Sequence, residues 1–432
     1  MRLKCLATFL LLALPLEVWA YPDGTQQVPN GLTIREIRIQ GLHQTREDIV
    51  RGQLTSRVDQ PYTEAAAKED YRNLDRLGVF SSIKINPTIV QNEVVLVVEV
   101  QEIPRILPYP SFNITAENGV SAGAGVKLPN LFHRAIAFSL SWRFGSLTES
   151  ELLVQSPWQM DKKTWFALQN NYRDRPNESF NFQEKAFETD YKAGFVLTQK
   201  LRVGGRFAFI SMGSDKPGIT LAPDGRDDTP SIGAVLEYDA RDLRSNPHRG
   251  WQFIFDVTQN GGFIGGDGNF VTNQFDVRRY QPIASRHILA FFSFTTLQSG
   301  VVGTDVPIYR TYNIGGTNTV RGWDLNARQG NNQFLNTLEY RYELLPPKSF
   351  KVHGIGFYTG IQLAAFGDLG TAWDGGEDFT RNIIGGGGFG IRLIIPFVEM
   401  IRFDFAFGQS GHGLRSAVGI REKSYYGRQR VR

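Results

Sequence analysis

From Arg105 onward the chain alternates apolar and polar residues in about sixteen segments of roughly ten residues, the length a strand tilted about 45° needs to cross a hydrocarbon core. In Ala135 to Phe144 the even positions Ile136, Phe138, Leu140, Trp142 and Phe144 are apolar, while the odd positions are small or polar and include Arg143. In Trp251 to Thr258 the apolar set is Trp251, Phe253, Phe255 and Val257. In Ile401 to Phe407 it is Ile401, Phe403, Phe405 and Phe407, set against Arg402 and Asp404. A period of two puts successive side chains on opposite faces of a strand. A soluble sandwich has the same period, but the number of strands and the aromatics at their ends favour a transmembrane antiparallel β-barrel of about 16 strands.

Strand parity also predicts which charges enter the lumen. In Phe334 to Leu344 the even positions Phe334, Leu338, Tyr340, Tyr342 and Leu344 are apolar or aromatic, so Glu339, Arg341 and Glu343 point inward. In Phe357 to Asp368 the odd positions Phe357, Ile361, Leu363 and Ala365 read as outward, which turns Gln362 and Asp368 inward and makes Phe366 a lumen aromatic. With the chain entering from the periplasm, the long connections Arg173 to Gln183, Met212 to Thr229, Gln298 to Asn332 and Leu369 to Arg381 all fall outside, and turns such as Gln281 to Ala284 stay short. Barrels show that asymmetry. The glycine run Gly385 to Gly388 sits in a strand, where a bend or a close backbone approach is expected.

Gly31 to Val100 follows a different pattern, β-α-α-β-β. A strand over Thr33 to Gln40 precedes a short helix capped by Thr45, and a second helix runs from Thr63 to about Leu77. Gly78 is the expected left-handed cap, and strands Ser82 to Ile89 and Glu93 to Val100 flank a Gln91-Asn92 turn. No internal repeat is evident.

The first twenty residues carry Arg2 and Lys4, an apolar run from Leu6 to Leu16, and small residues before position 21, which reads as a secretory signal peptide. Cys5, the one cysteine, would leave with it, so the mature chain would have neither disulfides nor cysteine zinc sites. A mean hydropathy of −0.25 and the lack of any apolar run long enough for a membrane helix are both compatible with a barrel. The net charge of +4 is too small to argue for nucleic acid. The six histidines are scattered without ligand spacing, and no cofactor or metal is implied.

The long connection before Asn332 contains Gly315 to Trp323, reading G-G-T-N-T-V-R-G-W, in which Arg321 stands beside Gly322 and Trp323. Loops of that length are uncommon unless functional. This motif, together with F-G-D-L-G-T-A-W-D at Phe366 to Asp374 and the stretch from Gly388 to Gly408, resembles the bacterial surface-antigen family of outer-membrane assembly factors. Those proteins join periplasmic POTRA domains to a β-barrel and insert or export other proteins. The resemblance covers nearly all of Asn30 to Lys423, and Tyr238 to Asp242 with Pro247 to Gly250 matches the family's strand end and periplasmic turn. It implies that Arg321 pairs with Asp368 and Glu339 as a loop latch, an arrangement suited to the planar guanidinium fork. Glu339 and Asp368 could otherwise suggest a hydrolase pair, but the arginine accounts for them and no enzyme is expected. The barrel seam, between Arg105 to Thr115 with Pro108 and Pro110 and Leu414 to Arg421 with Gly419, should be the weakest pairing.

The resulting plan is a signal peptide (1–20), a linker (21–29), one POTRA-like domain (30–103), an outer-membrane barrel (104–423) and a basic tail (424–432). Expected partners are the outer-membrane lipid bilayer and unfolded or secreted client proteins, with periplasmic accessory proteins left open. A passive pore or surface adhesin on the same scaffold is the alternative. The chain departs from the family's usual pattern in continuing past Lys423 to Arg432 and in having a single POTRA-like unit.

Overall fold

The structure, a computed structural model, describes residues 28–420 except 116–118, 157–162, 178, 244–245, 353–354, 395–400 and 409–414. The signal peptide and the basic tail lie outside the described residues. The small N-terminal unit contains β1 (Ile34–Gln40), α1 (Glu47–Gln53), α2 (Glu64–Asp75), β2 (Phe80–Val90) and β3 (Glu93–Glu102). Its sheet order is β1-β3-β2, parallel between β1 and β3 and antiparallel between β3 and β2. Both helices pack on one face, and Ile34, Ile49, Leu74, Leu96 and Val98 form the core.

Local signals act here largely as read. Thr63 caps α2 by accepting from the Ala66 N–H at 3.1 Å. Gly78 has φ +67, and Gln91 and Asn92 have φ +52 and +65, the pair of positive values that a tight two-residue hairpin needs. The Thr45 cap is a correction. The first helix starts at Glu47, and Arg46 at its N-cap makes no side-chain capping bond, its guanidinium pairing with Asp48 instead. Glu102 organises this segment instead, its carboxylate accepting N–H bonds from His43, Gln44 and Thr45 at 3.1, 2.8 and 2.6 Å.

The barrel begins with β4 (Leu107–Thr115), β5 (Gly119–Leu131), β6 (Ile136–Gly145), β7 (Thr148–Gln155), β8 (Thr164–Asn177) and β9 (Phe182–Val196). It continues with β10 (Leu201–Ser214), β11 (Arg226–Asp239), β12 (Gly250–Gly261), β13 (Asn269–Ala284) and β14 (His287–Gln298). After a long loop containing the short strands β15 (Tyr312–Ile314) and β16 (Arg328–Gly330) come β17 (Asn332–Val352), β18 (Ile355–Trp373), β19 (Ile384–Ile394), β20 (Ile401–Gly408) and β21 (Arg415–Ile420). Sixteen strands form one antiparallel sheet in chain order from β4 to β21, leaving out only β15 and β16. That matches the strand number and the architecture read from the alternation. No described helix is long and apolar enough to cross a membrane.

Side chains follow the expected parity. Glu339, Arg341, Glu343, Gln362 and Asp368 are buried inside, whereas Leu338, Leu363, Phe389 and Phe407 are exposed outside. The outer connections are shorter than their polarity suggests. Arg173 to Asn177 and Arg226 to Thr229 belong to strands, and Leu369 to Trp373 completes β18. In Arg173 to Asn177 and Arg226 to Thr229 both faces of the strand are polar, so the alternation that marks a strand is lost there. On the periplasmic side β13 runs to Ala284, leaving the turn at 285–286.

The small domain contacts the barrel's periplasmic turns. Arg76 donates to the carbonyls of Gln199 and Asp239 at 2.9 and 3.1 Å, and Asn130 Nδ2 donates to Thr45 Oγ1 at 2.9 Å. Across the seam, β4 and β21 approach within 8 Å between Cα atoms, but no ladder joins them among the described residues.

Candidate functional site: a loop held against the lumen wall

The loop between β14 and β17 has structure of its own. A short 3-10 turn over Ile308–Arg310 leads into the β15–β16 hairpin, paired from Tyr312↔Gly330 to Ile314↔Arg328. Between these strands the chain turns at Gly315 and Gly316, φ +119 and +81, and again at Gly322, φ +92. Ile314 and Val320 are fully buried with Leu335, Ala372 and Ile384, so an apolar cluster fixes the loop to β17, β18 and the start of β19.

Arg321 is at the tip. Its Nε and Nη2 donate to the two oxygens of Asp368 at 2.6 and 2.8 Å, a bidentate fork, and its own backbone N–H reaches Asp368 at 3.2 Å. Nη1 donates to Asp404 Oδ2 at 2.9 Å. The guanidinium carbon lies 3.3 Å from the centre of the Phe366 ring, the lumen aromatic that parity implied. Glu339 is nearby at 3.8 Å from Nη1, beyond hydrogen-bond reach. Its closer partners are Arg341 at 2.7 Å and Arg392 at 2.8 Å, and Arg392 also contacts Asp404. Arg321 of the loop and Arg341, Arg392 and Arg402 of the wall therefore share three carboxylates, Glu339, Asp368 and Asp404, and Glu339 reaches the loop mainly through Arg392 and Asp404.

Asp404 and Arg392 were not singled out in the sequence as site residues. The signal was available for both. Asp404 lies opposite Phe403 and Phe405 in a cleanly alternating strand, and Arg392 lies between Ile391 and Leu393. Their inward parity alone does not say that the loop tip reaches them.

Glycines let the loop lie flat on the wall. A Cβ at Gly386 would run into the Arg321 carbonyl, and one at Gly322 would collide with the backbone of Phe407 and Gly408. The run Gly385 to Gly388 is thus a site of close backbone approach. Half-buried Trp323 donates its indole N–H to the Gly385 carbonyl at 2.7 Å and packs beside Ile384 and Leu335. At the seam, Pro108 and Pro110 occupy alternate positions of β4, so both missing donors lie along one edge of the strand, and Gly419 of β21 pairs with Arg402 of β20.

A sixteen-strand barrel with an inward-folded loop pinned to its last strands, preceded by a β-α-α-β-β module, defines a class of outer-membrane protein with a periplasmic N-terminal domain. The comparisons give the family. The Omp85 superfamily domain matches residues 130–415, and the POTRA family, described as a surface antigen variable number repeat, matches residues 32–103. This chain belongs to the Omp85 superfamily.

Among curated relatives, the outer membrane protein assembly factor BamA of Nitratidesulfovibrio vulgaris is 22% identical over 374 residues, 80% of this chain and 45% of that protein. The chain thus spans less than half the length of this relative. The sorting and assembly machinery component 50 homolog of Mus musculus is 21% identical, covering 71% of this chain and 68% of that one. Of solved structures, BamA from Haemophilus ducreyi lacking POTRA domains 1-3 superposes with TM-score 0.57 at 15% identity, covering 90% and 83% of the two chains. CdiB from Acinetobacter baumannii gives 0.55 at 13%, covering 90% and 73%. At these identities the superpositions bear on the fold.

Proposed function

We propose that this chain inserts or translocates other proteins at the outer membrane, with the POTRA-like domain receiving an extended client and the barrel passing it on at the β4–β21 seam. Arg321, Gly322 and Trp323 act as a latch through Asp368 and Asp404, with Glu339 supporting the network. The observation that carries this reading is the buried Arg321 fork, which joins a loop from the outer side to β18 and β20, next to a seam that no ladder closes among the described residues. β2 is an edge of the three-stranded sheet and carries exposed Ile89 and Val90, so a client strand could add there through main-chain hydrogen bonds. No nucleotide or metal enters the scheme, and client folding supplies the driving force. The relatives named for assembly and sorting support the same reading.

The test is a cysteine pair, one residue in β4 and one in β21, in a chain whose single cysteine is Cys5. Oxidation should form the disulfide and block client handling, and reduction should restore it. A crosslinked seam with undiminished activity would point to passage through the lumen, and conductance independent of client would point to a passive pore.

A further inference from the structure

Among the barrel's arginines, Arg279 differs from those facing the lumen. Asp276 and Tyr280 of β13 are buried inside, with Arg278 half-buried on the same face, so Arg279 turns to the lipid face. The inward arginines pair with carboxylates: Arg278 with Asp276 at 2.6 Å, Arg206 with Asp190 at 3.0 Å, Arg392 with Glu339 at 2.8 Å. Arg279 has no carboxylate within 4.0 Å among the described residues. Its guanidinium lies over the Trp251 ring, 4.9 Å from the centre, and donates to the Gln281 side-chain oxygen. Trp251 is the second residue of β12, just above a periplasmic turn, and it pairs in register with Arg279. This level is the inner interface of the membrane, where tryptophan and tyrosine sit among headgroups.

Beyond Gln281 the outward row crosses the apolar Leu289 and turns polar again on β17. Gln281 pairs with Leu289, Leu289 with Tyr340, and His287 with Tyr342. His287 Nδ1 lies 2.6 Å from the Tyr340 hydroxyl, and its ring is 4.9 Å from that of Tyr342. His287, Tyr340, Tyr342, Leu363 and Ala365 line a groove on this face. The outward positions of β13, β14 and β17 in this zone, from Val277 to Ile283, His287 to Phe291 and Leu338 to Leu344, include no acid. A cation facing outward costs most at the bilayer midplane and little at the interface. There its planar fork is matched to phosphate oxygens.

We infer that Arg279 and Gln281 bind the phosphodiester of an anionic phospholipid in the periplasmic leaflet, with the start of an acyl chain in the groove that His287, Tyr342 and Leu363 line. The charge is complementary, the aromatic seat on Trp251 holds the fork in place, and the groove is apolar where a lipid tail would lie. The competing account is an arginine that merely reaches into bulk water beside its apolar stem.

The test is native mass spectrometry of the full chain in detergent, titrated with phosphatidylglycerol. Affinity for the tightest-bound lipid should fall about tenfold in Arg279→Gln and recover in part in Arg279→Lys. Should Arg279→Gln fail to fold, Gln281→Ala, which removes the other phosphate contact, should also weaken retention. Excess inorganic phosphate should leave the lipid bound. Retention unchanged in the folded variants, or displacement of the lipid by phosphate, would overturn the inference.

Discussion

Two buried arginines of this barrel make nearly the same bonds to different ends. Arg206 of β10 forks Asp190 at 3.0 and 3.0 Å and reaches Asp256 at 3.1 Å. Arg321 forks Asp368 at 2.6 and 2.8 Å and reaches Asp404 at 2.9 Å. Arg206 joins β9, β10 and β12, strands already held in one sheet, and it passes over Gly233 of β11, where a Cβ would crowd the Thr258 hydroxyl. Arg321 instead joins a loop to the wall. The same chemistry is a stitch within the sheet in one place and a clasp on a separable segment in the other. What an ion pair does is therefore set by what its two ends belong to, since a bond between strands is lost only with the barrel while a bond to a loop can open alone.

The largest loss of stability is expected at Arg206. Arg206→Ala leaves Asp190 and Asp256 with Lys192 as their one shared cation among the described residues, at 3.7 and 3.5 Å, and the loss of one partner of a buried pair costs up to about 3–5 kcal/mol. The heat-modifiable band of the folded barrel on gels should convert to the unfolded form at markedly lower temperature. An unchanged conversion temperature would mean that the wall network contributes little.

A smaller effect is expected at Gly386→Val, whose side chain would meet the Arg321 carbonyl. Overpacking of this kind costs about 1–3 kcal/mol. Because the loop can lift away to relieve it, added protease should cut between Ser299 and Asn331 faster while the barrel's conversion temperature stays near that of the parent. Equal cleavage in both proteins would remove the glycine bed from the account.

The smallest effect lies at the periplasmic rim. His248, in the turn before β12, is 2.8 Å from Glu343, with Asp242 at 3.7 Å. Burial acts to lower the imidazole pKa, but the Glu343 carboxylate, together with that of Asp242, outweighs it and holds the group above the ordinary value of 6.5. Since the folded value is raised, this contact contributes fully below pH 6.5 and is lost as pH rises through the raised value. His248→Gln should flatten the dependence of conversion temperature on pH over that window. A dependence as steep as the parent's would place the titration elsewhere.

How far this was legible in the sequence varies with the range of the interaction. Alternation is local, so it was enough to turn Glu339, Gln362 and Asp368 inward and to count the strands. The caps at Thr63 and Gly78 were equally local. Thr45 misled because Glu102, more than fifty residues on, supplies the acceptors for that segment. The pairing of Arg321 with Asp404 spans eighty-three residues and depends on where the loop comes to rest, which no period in the chain encodes. The glycine run signalled a close approach without naming the backbone that makes it. The strand ends Arg173 to Asn177 and Arg226 to Thr229 were missed because polar residues on both faces erase the alternation.

Arg321 holds a segment able to open without the barrel. Arg321→Ala tests it most directly by two readings on one sample: protease cleavage between Ser299 and Asn331, and the temperature at which the folded band converts. The account predicts rapid cleavage of the loop at a conversion temperature close to the parent's, with Arg321→Lys intermediate because lysine lacks the fork. Cleavage unchanged from the parent, or a loop that becomes sensitive only when the whole barrel melts, would contradict it.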